Sequence, residues 1–372
     1  MMSHIRPLPE QGRGRIAFLY EQVFFMRVAF IAPYSSGPIR GNITTINRIS
    51  SSLASEGIET VTLAIDALSF TEMESRLAAF KPDLIHGFHA HHCGIITRNL
   101  AERFHVPFMI TITGSDIHDR LLWNHPDTVK AIETAGAVVC FSDSDADRVT
   151  SSYPHISGYV TVVPQGVESL STGEDDDFNF CDGAFILLLP AALRPVKCIE
   201  FPLQALRKLV QLEPALQLVI AGGVIDQDYA VTIRNTLSDT PFARWLGEVP
   251  HEKMGNLYHR ADLVLNCSSS ESMPNTLMEA MSLGRPVLAS NIDGNRSLVR
   301  DKENGWLYNN EEEFRALVKQ LMGDPAMREK AGKQAMQEIR DHFSPRLEAE
   351  RYVSLYHGLV HKYGISYRDS TG

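Results

Sequence analysis

Nothing in the 372-residue chain reaches the run of about 20 apolar residues that a helix needs to span a bilayer. No membrane-crossing helix is therefore expected. Cysteine is scarce: Cys93, Cys140, Cys181, Cys198 and Cys267 are odd in number, scattered and without CxxC spacing. That excludes a disulfide framework and a zinc site, and it fits reduced thiols in a cytoplasm. Basic charge is also short: 35 Lys and Arg stand against 45 Asp and Glu, a net charge of −10. A nucleic-acid backbone is thus a poor partner. No GxGxxG motif follows the first strand, which argues against a dehydrogenase. The expected location is cytoplasmic, with peripheral contact at the inner face of the membrane as the alternative.

What is present is ordinary globular composition, 44% hydrophobic and 22% charged, in a length that favours two domains. Residues 1–25 carry several arginines and the aromatic patch Phe18, Phe24, Phe25, but no small-residue cleavage site. They read as a leader that is disordered or not native, or else as a membrane-touching helix. Met26 opens a clean first strand.

From there, short apolar runs alternate with helical patterns. Strands are expected at 27–32, 60–65, 83–87, 108–112, 137–141 and 160–163, and helices at 43–56, 70–80, 94–103 and 126–135. The second half repeats the scheme, with strands near 184–189, 217–221, 243–246, 262–266, 286–289 and 306–308. Its helices are expected near 198–211, 228–238, 252–258, 275–283, 311–322, 326–341 and 345–362. Such alternation implies parallel sheets covered by helices on both faces. The polar, acidic stretch 167–182 reads as a linker between a domain at 26–166 and a domain at 183–344. Two doubly wound α/β domains so joined hold a ligand between the C-terminal ends of their strands.

The most informative segment is Ser269 to Met281, between an apolar run ending at Cys267 and the strand at Val287. Pro274 suits the first turn of a helix, where its missing N–H costs nothing. That helix start offers free N–H groups and a positive dipole end to a phosphate. Glu271 is expected just before the helix and Glu279 about two turns into it. Leu193-Arg194-Pro195-Val196-Lys197 sets two cations past the end of another strand, suited to a diphosphate. The glycine-bearing loop from Ser35 to Thr44, with Gly41 and Asn42, opens a helix after the first strand. It is either turn chemistry or a second phosphate contact. Asp116, in Thr113-Gly114-Ser115-Asp116, either caps a helix or serves the site. His86, His89, His91 and His92 cannot all face one metal from a strand and loop, because side chains alternate there. No metal is expected, and His89 is either a plain loop histidine or a ligand contact. Gly222 and Gly223 end a strand in a turn.

The segment from Glu271 to Tyr308 resembles the donor-binding signature of retaining GT-B-fold glycosyltransferases of the family 4 type. The likeness extends from Met26 onward. Gly41-Asn42-Ile43-Thr44-Thr45, Thr113-Gly114-Ser115-Asp116, Leu193 to Lys197 and Asn291-Ile292-Asp293-Gly294-Asn295 resemble more closely the glycosyltransferase 1 domain-containing subgroup and bacterial selenosugar synthases.

The resemblance implies a GT-B fold, α/β, with two Rossmann-like domains facing a cleft. It also implies a final helix, within 345–372, that crosses back to the acceptor-side N-terminal domain. The implied activity moves a sugar from a nucleotide-sugar, with UDP-sugars first, to a small-molecule, glycan or lipid acceptor, without metal or other cofactor. Glu271, Lys197, Arg194 and Asp116 would carry the chemistry. Gly41, Asn42, His89, Gly222 and Gly223 would line the substrate site with Met273, Pro274, Asn275, Thr276 and Glu279. Two features depart from the family pattern. Thr113 stands where many members have a histidine, and Ala192 where they have an arginine, with Arg194 the nearest substitute. A seleno- or thiosugar synthase, a GT-B epimerase or phosphorylase, and a non-catalytic nucleotide-sugar-binding protein are the rival readings.

Overall fold

A computed structural model describes residues 25–35, 41–173, 178, 180, 181 and 183–364. The leader up to residue 24, residues 36–40 of the first loop and the acidic run 174–177 lie outside the described residues.

The first half contributes β1 (Met26–Ala32), β2 (Ile58–Ala64), β3 (Leu84–Phe88), β4 (Phe108–Thr111), β5 (Ala137–Cys140) and β6 (Val160–Val162). They pair in parallel in the order β2-β1-β3-β4-β5-β6. The second contributes β7 (Phe185–Pro190), β8 (Leu216–Ala221), β9 (Ala243–Trp245), β10 (Leu263–Asn266), β11 (Val287–Ser290) and β12 (Trp306–Tyr308). Their order, again parallel, is β12-β11-β10-β7-β8-β9. Strand order reverses between β1 and β3 in one sheet and between β7 and β10 in the other. Each reversal opens a crevice beyond the strand C-termini, where α/β folds bind ligands. The loops carrying Asn42, His89, Lys197 and Glu271 follow these four strands.

Both faces of each sheet are buried, as the near-continuous apolar strands require. Ala29 and Ile31 of β1 enter one core cluster while Val28 and Phe30 enter the other. Ile186 and Leu188 of β7 separate from Leu187 and Leu189 in the same way. Helix boundaries follow local chemistry. Ser69 and Glu72 form a reciprocal capping box, so the helix Phe70–Phe80 starts where expected. The helix expected at 198–211 is two short ones, Glu200–Ala205 and Arg207–Val210. Its start is displaced because Cys198 sits in the left-handed conformation. The helix expected at 94–103 runs Ala90–Phe104 and takes in His91 and His92.

The final helix, Pro345–Lys362, packs on the first half. Its Tyr352, Tyr356, Leu359 and Val360 share a cluster with Val28 and Phe30. Facing it, fully buried His86 bonds Tyr356 Oη through Nδ1 (2.9 Å) and Thr111 Oγ1 through Nε2 (2.7 Å). His86 is therefore a core residue, and burial holds its imidazole down at about 3.

Because that folded-state value lies below the unfolded one, only the unfolded chain takes up the proton. The stabilisation is complete above the unfolded value and is eroded as pH falls from about 6.5 towards 3. Between pH 7 and pH 5, wild type should lose about 2 kcal/mol more than His86→Gln. Urea melts of both proteins across that range test this, and parallel curves would refute it.

Candidate active site

A cleft of about 530 Å³ lies between the halves. Its second-half wall is built around Glu271. Lys197 Nζ, Ser268 Oγ (2.7 Å) and Asn266 Nδ2 (3.5 Å) all donate to one oxygen, Glu271 Oε1. Glu271 Oε2 has no hydrogen-bond partner among the described residues. Burial pushes this carboxyl up, but the Lys197 ammonium, the Lys197 and Ser268 hydrogen bonds and the Arg194 charge outweigh it. The group is held below the usual carboxylate range.

The loop is fixed from behind by Gly294. A Cβ there would sit 2.1 Å from the Glu271 carbonyl oxygen. Asn295, fully buried, holds Ser290 O (2.8 Å) and Ser290 Oγ (3.0 Å), and Ser290 Oγ in turn donates to Ser268 O (2.6 Å). The stretch Asn291–Asn295 thus acts as a buttress for Glu271.

Arg194 lines the same wall. It makes no ion pair among the described residues, and its Nε is buried without a hydrogen-bond partner. A guanidinium so placed is suited to an anion. Close by starts the helix Asn275–Ser282, whose N-cap residue, Pro274, gives no side-chain cap. The Leu277 N–H turns back to Pro274 O (3.1 Å), while the Asn275 and Thr276 N–H groups have no acceptor among the described residues and suit an anion. Pro274 is thus the cap and not the first helical residue. Glu279 lies one turn into this helix, not two, because the helix begins at Asn275. Both its oxygens are occupied: Oε2 accepts from Tyr258 Oη (2.7 Å) and Oε1 from His251 Nε2 (3.1 Å). The hydrogen bond to Glu279 raises His251 above its ordinary value. Met273, Thr276, Gly222 and Gly223 also line the cleft. At Gly222 a Cβ would meet Ala191 O at 2.2 Å, so the backbones of the two strand ends can approach only there.

The first-half wall carries Tyr34, Gly41, Asn42, His89, His92, Thr113, Ser115 and His118. Asn42 Nδ2 reaches Thr113 Oγ1 at 3.4 Å, and Gly41 faces Asn275 across the cleft. His89 has φ 81, an unusual backbone for a non-glycine residue and a mark of a functional loop. Its Nδ1 accepts from His92 N–H (3.1 Å), so its ring proton is on Nε2, which meets Ser115 Oγ at 2.9 Å.

Asp116 does not belong to the reacting set. It is fully buried, lies outside the cleft lining, and accepts from the backbone N–H of Ala90 (2.7 Å), Gly114 (2.8 Å) and Thr113 (3.0 Å). Its carboxylate is consumed in joining the loops after β3 and β4.

Four residues of the site carry no sequence signal of their own. His251 and Tyr258 meet Glu279 across 28 and 21 residues. Gln165 reaches Met273 across 108, and His118 Nε2 lies 3.4 Å from Ser272 Oγ. Among the described residues no group of three or more His, Cys, Asp or Glu is arranged to hold a metal.

Residues 173–338 match the family described as Glycosyl transferases group 1. The chain is 26% identical over 346 residues to the Glycosyltransferase 1 domain-containing protein 1 of Xenopus tropicalis, covering 89% of this chain and 97% of that protein. Sucrose-phosphate synthase from Thermosynechococcus elongatus superposes with a TM-score of 0.78 at 18% identity, over 91% of this chain and 100% of that one. Anabaena HepE, solved in complex with UDP and glucose, gives 0.75 at 16% identity, over 90% and 100%. The fold is therefore GT-B, and the domain match and the relatives support a glycosyltransferase activity.

Gly294→Ala should be costly, because the clash is with backbone that cannot rotate away. Overpacking of this kind costs about 1–3 kcal/mol. Thermal unfolding should show it, and a midpoint equal to wild type would remove Gly294 from the support of Glu271.

Proposed function

We propose that the chain is a retaining, metal-independent glycosyltransferase that takes its sugar from a nucleotide-sugar, with a UDP-sugar as the first candidate. The observation that carries the reading is the Arg194 guanidinium, which makes no ion pair among the described residues, beside Lys197 and the uncapped start of the helix Asn275–Ser282. Transfer breaks the bond between the sugar's anomeric carbon and the diphosphate, and negative charge grows on the departing oxygens. Two cations and a helix N-terminus fixed beforehand stabilise that charge as it develops.

Glu271, anchored through Oε1, offers Oε2 to hydroxyls of the donor sugar. Glu279, oriented by Tyr258 and His251, accepts from the ribose. The acceptor enters on the side of Tyr34, His89, His92 and His118, and its nucleophilic atom attacks the face the diphosphate leaves. The UDP bound in the HepE crystals supports uridine as the base. A seleno- or thiosugar synthase on the same fold is the second reading. It is favoured by Thr113, which puts a small hydroxyl beside Asn42 where many family members have a histidine.

Calorimetry against UDP-, GDP- and ADP-sugars tests the proposal, with Glu279→Ala and Lys197→Ala alongside. One donor should bind, and each variant should weaken it about 10- to 100-fold, the loss of one charged hydrogen-bond partner. Absence of binding by every nucleotide-sugar would overturn the reading.

A further inference from the structure

One buried polar chain runs from the last helix to the Glu271 loop without touching the reacting groups. It starts at Arg48, on the helix Gly41–Ser55, and Glu348, on the helix Pro345–Lys362. Arg48 Nε and Nη2 donate to the two Glu348 oxygens at 2.8 and 3.0 Å, with side chains only 4% and 1% exposed. Arg48 Nη2 also donates to Gln165 Oε1 (3.3 Å), which accepts a second bond from Thr45 Oγ1 (2.6 Å). Gln165 Nε2 donates to Met273 O at 2.9 Å, and Gln165 N–H points at Met273 Sδ.

The orientation of the carboxamide is forced. Arg48 has no acceptor atom, so Oε1 must face it. The NH2 group is then left for a carbonyl, and the one it finds belongs to Met273. Gln165 follows the last strand of the first sheet. Met273 lies two residues after Glu271 and two before the helix whose N-terminus faces the cleft. A single side chain thus joins the first half to the turn that positions both Glu271 and that helix start. The other polar bridge described to this loop, His118 Nε2 to Ser272 Oγ, is longer at 3.4 Å.

We propose that Gln165 is the latch between the two halves. It is a positioning residue that holds the Glu271–Pro274 turn against the first half, with its amide set by the buried Arg48–Glu348 pair. The final helix is thereby linked to the donor wall through a hydrogen bond to a main-chain carbonyl. Only the nucleotide readout below rests on the donor-site reading.

Gln165→Glu separates latching from folding. Measured at alkaline pH so that the carboxyl beside Arg48 is ionised, it keeps the bonds from Thr45 and Arg48 but offers no proton to Met273 O and repels it. The expected result is an unfolding midpoint near wild type, a larger radius of gyration by small-angle X-ray scattering, and UDP affinity lowered about tenfold. Arg48→Met with Glu348→Met, which removes the pair as a unit, should open the cleft in the same way. Should Gln165→Glu fail to fold, Gln165→Met, of similar shape and without either bond, decides by the same scattering measurement.

A folded variant with the wild-type scattering profile overturns the latch, whatever its affinity. A wild-type protein that binds no UDP, with variants that still open, overturns the donor site and leaves the latch standing.

Discussion

Glu271 Oε1 is the point on which the donor wall turns. Three donors from two segments meet there: an ammonium after β7, and from the end of β10 an amide and, two residues later, a hydroxyl. A buried carboxylate without such company would be driven towards its neutral form. With it, the charge stays, the loop has one conformation, and Lys197 is held at the mouth of the crevice between β7 and β10. The backbone of the same residue is pinned by the missing side chain of Gly294. Atoms that fix the loop and atoms that face a ligand are therefore different atoms of one residue. This lets the site be rigid before substrate arrives.

The charges on the two walls differ in kind. On the second-half wall, Arg194 and Lys197 stand near the uncapped helix start, and Glu279 is oriented by one hydrogen bond to each oxygen, from Tyr258 and His251. On the first-half wall, imidazoles, hydroxyls and amides predominate among the described residues. That surface is thus rich in neutral hydrogen-bonding groups, while the opposite wall carries Arg194 and Lys197.

Much of the architecture was legible from patterning, because buried parallel strands read as uninterrupted apolar runs and their helices as amphipathic stretches. That Glu271, Lys197 and Arg194 lie at the cleft was legible for a related reason. Each follows a recognisable strand, and strand C-termini converge in this kind of fold. What escaped was decided by contacts between distant segments. Asp116 looked like a site residue because it follows a strand, yet its carboxylate is spent on three backbone N–H groups that only the folded loops bring together. His86 and His89, three residues apart, go to a core and to a cleft because β3 ends between them. Gln165 has no local signature at all.

The crossing of the final helix has a consequence for synthesis. Tyr352, Tyr356, Leu359 and Val360 complete the core on one face of the first sheet beside Ile46, Ile49 and Leu53, so part of that face stays uncovered until the helix Pro345–Lys362 has been made. At about 5–20 residues per second, the roughly 190 residues between Val162 at the end of the first sheet and Tyr352 take about 10–40 s to make. For that interval the nascent first half displays part of an apolar face whose natural cover does not yet exist. The half translated first is completed last.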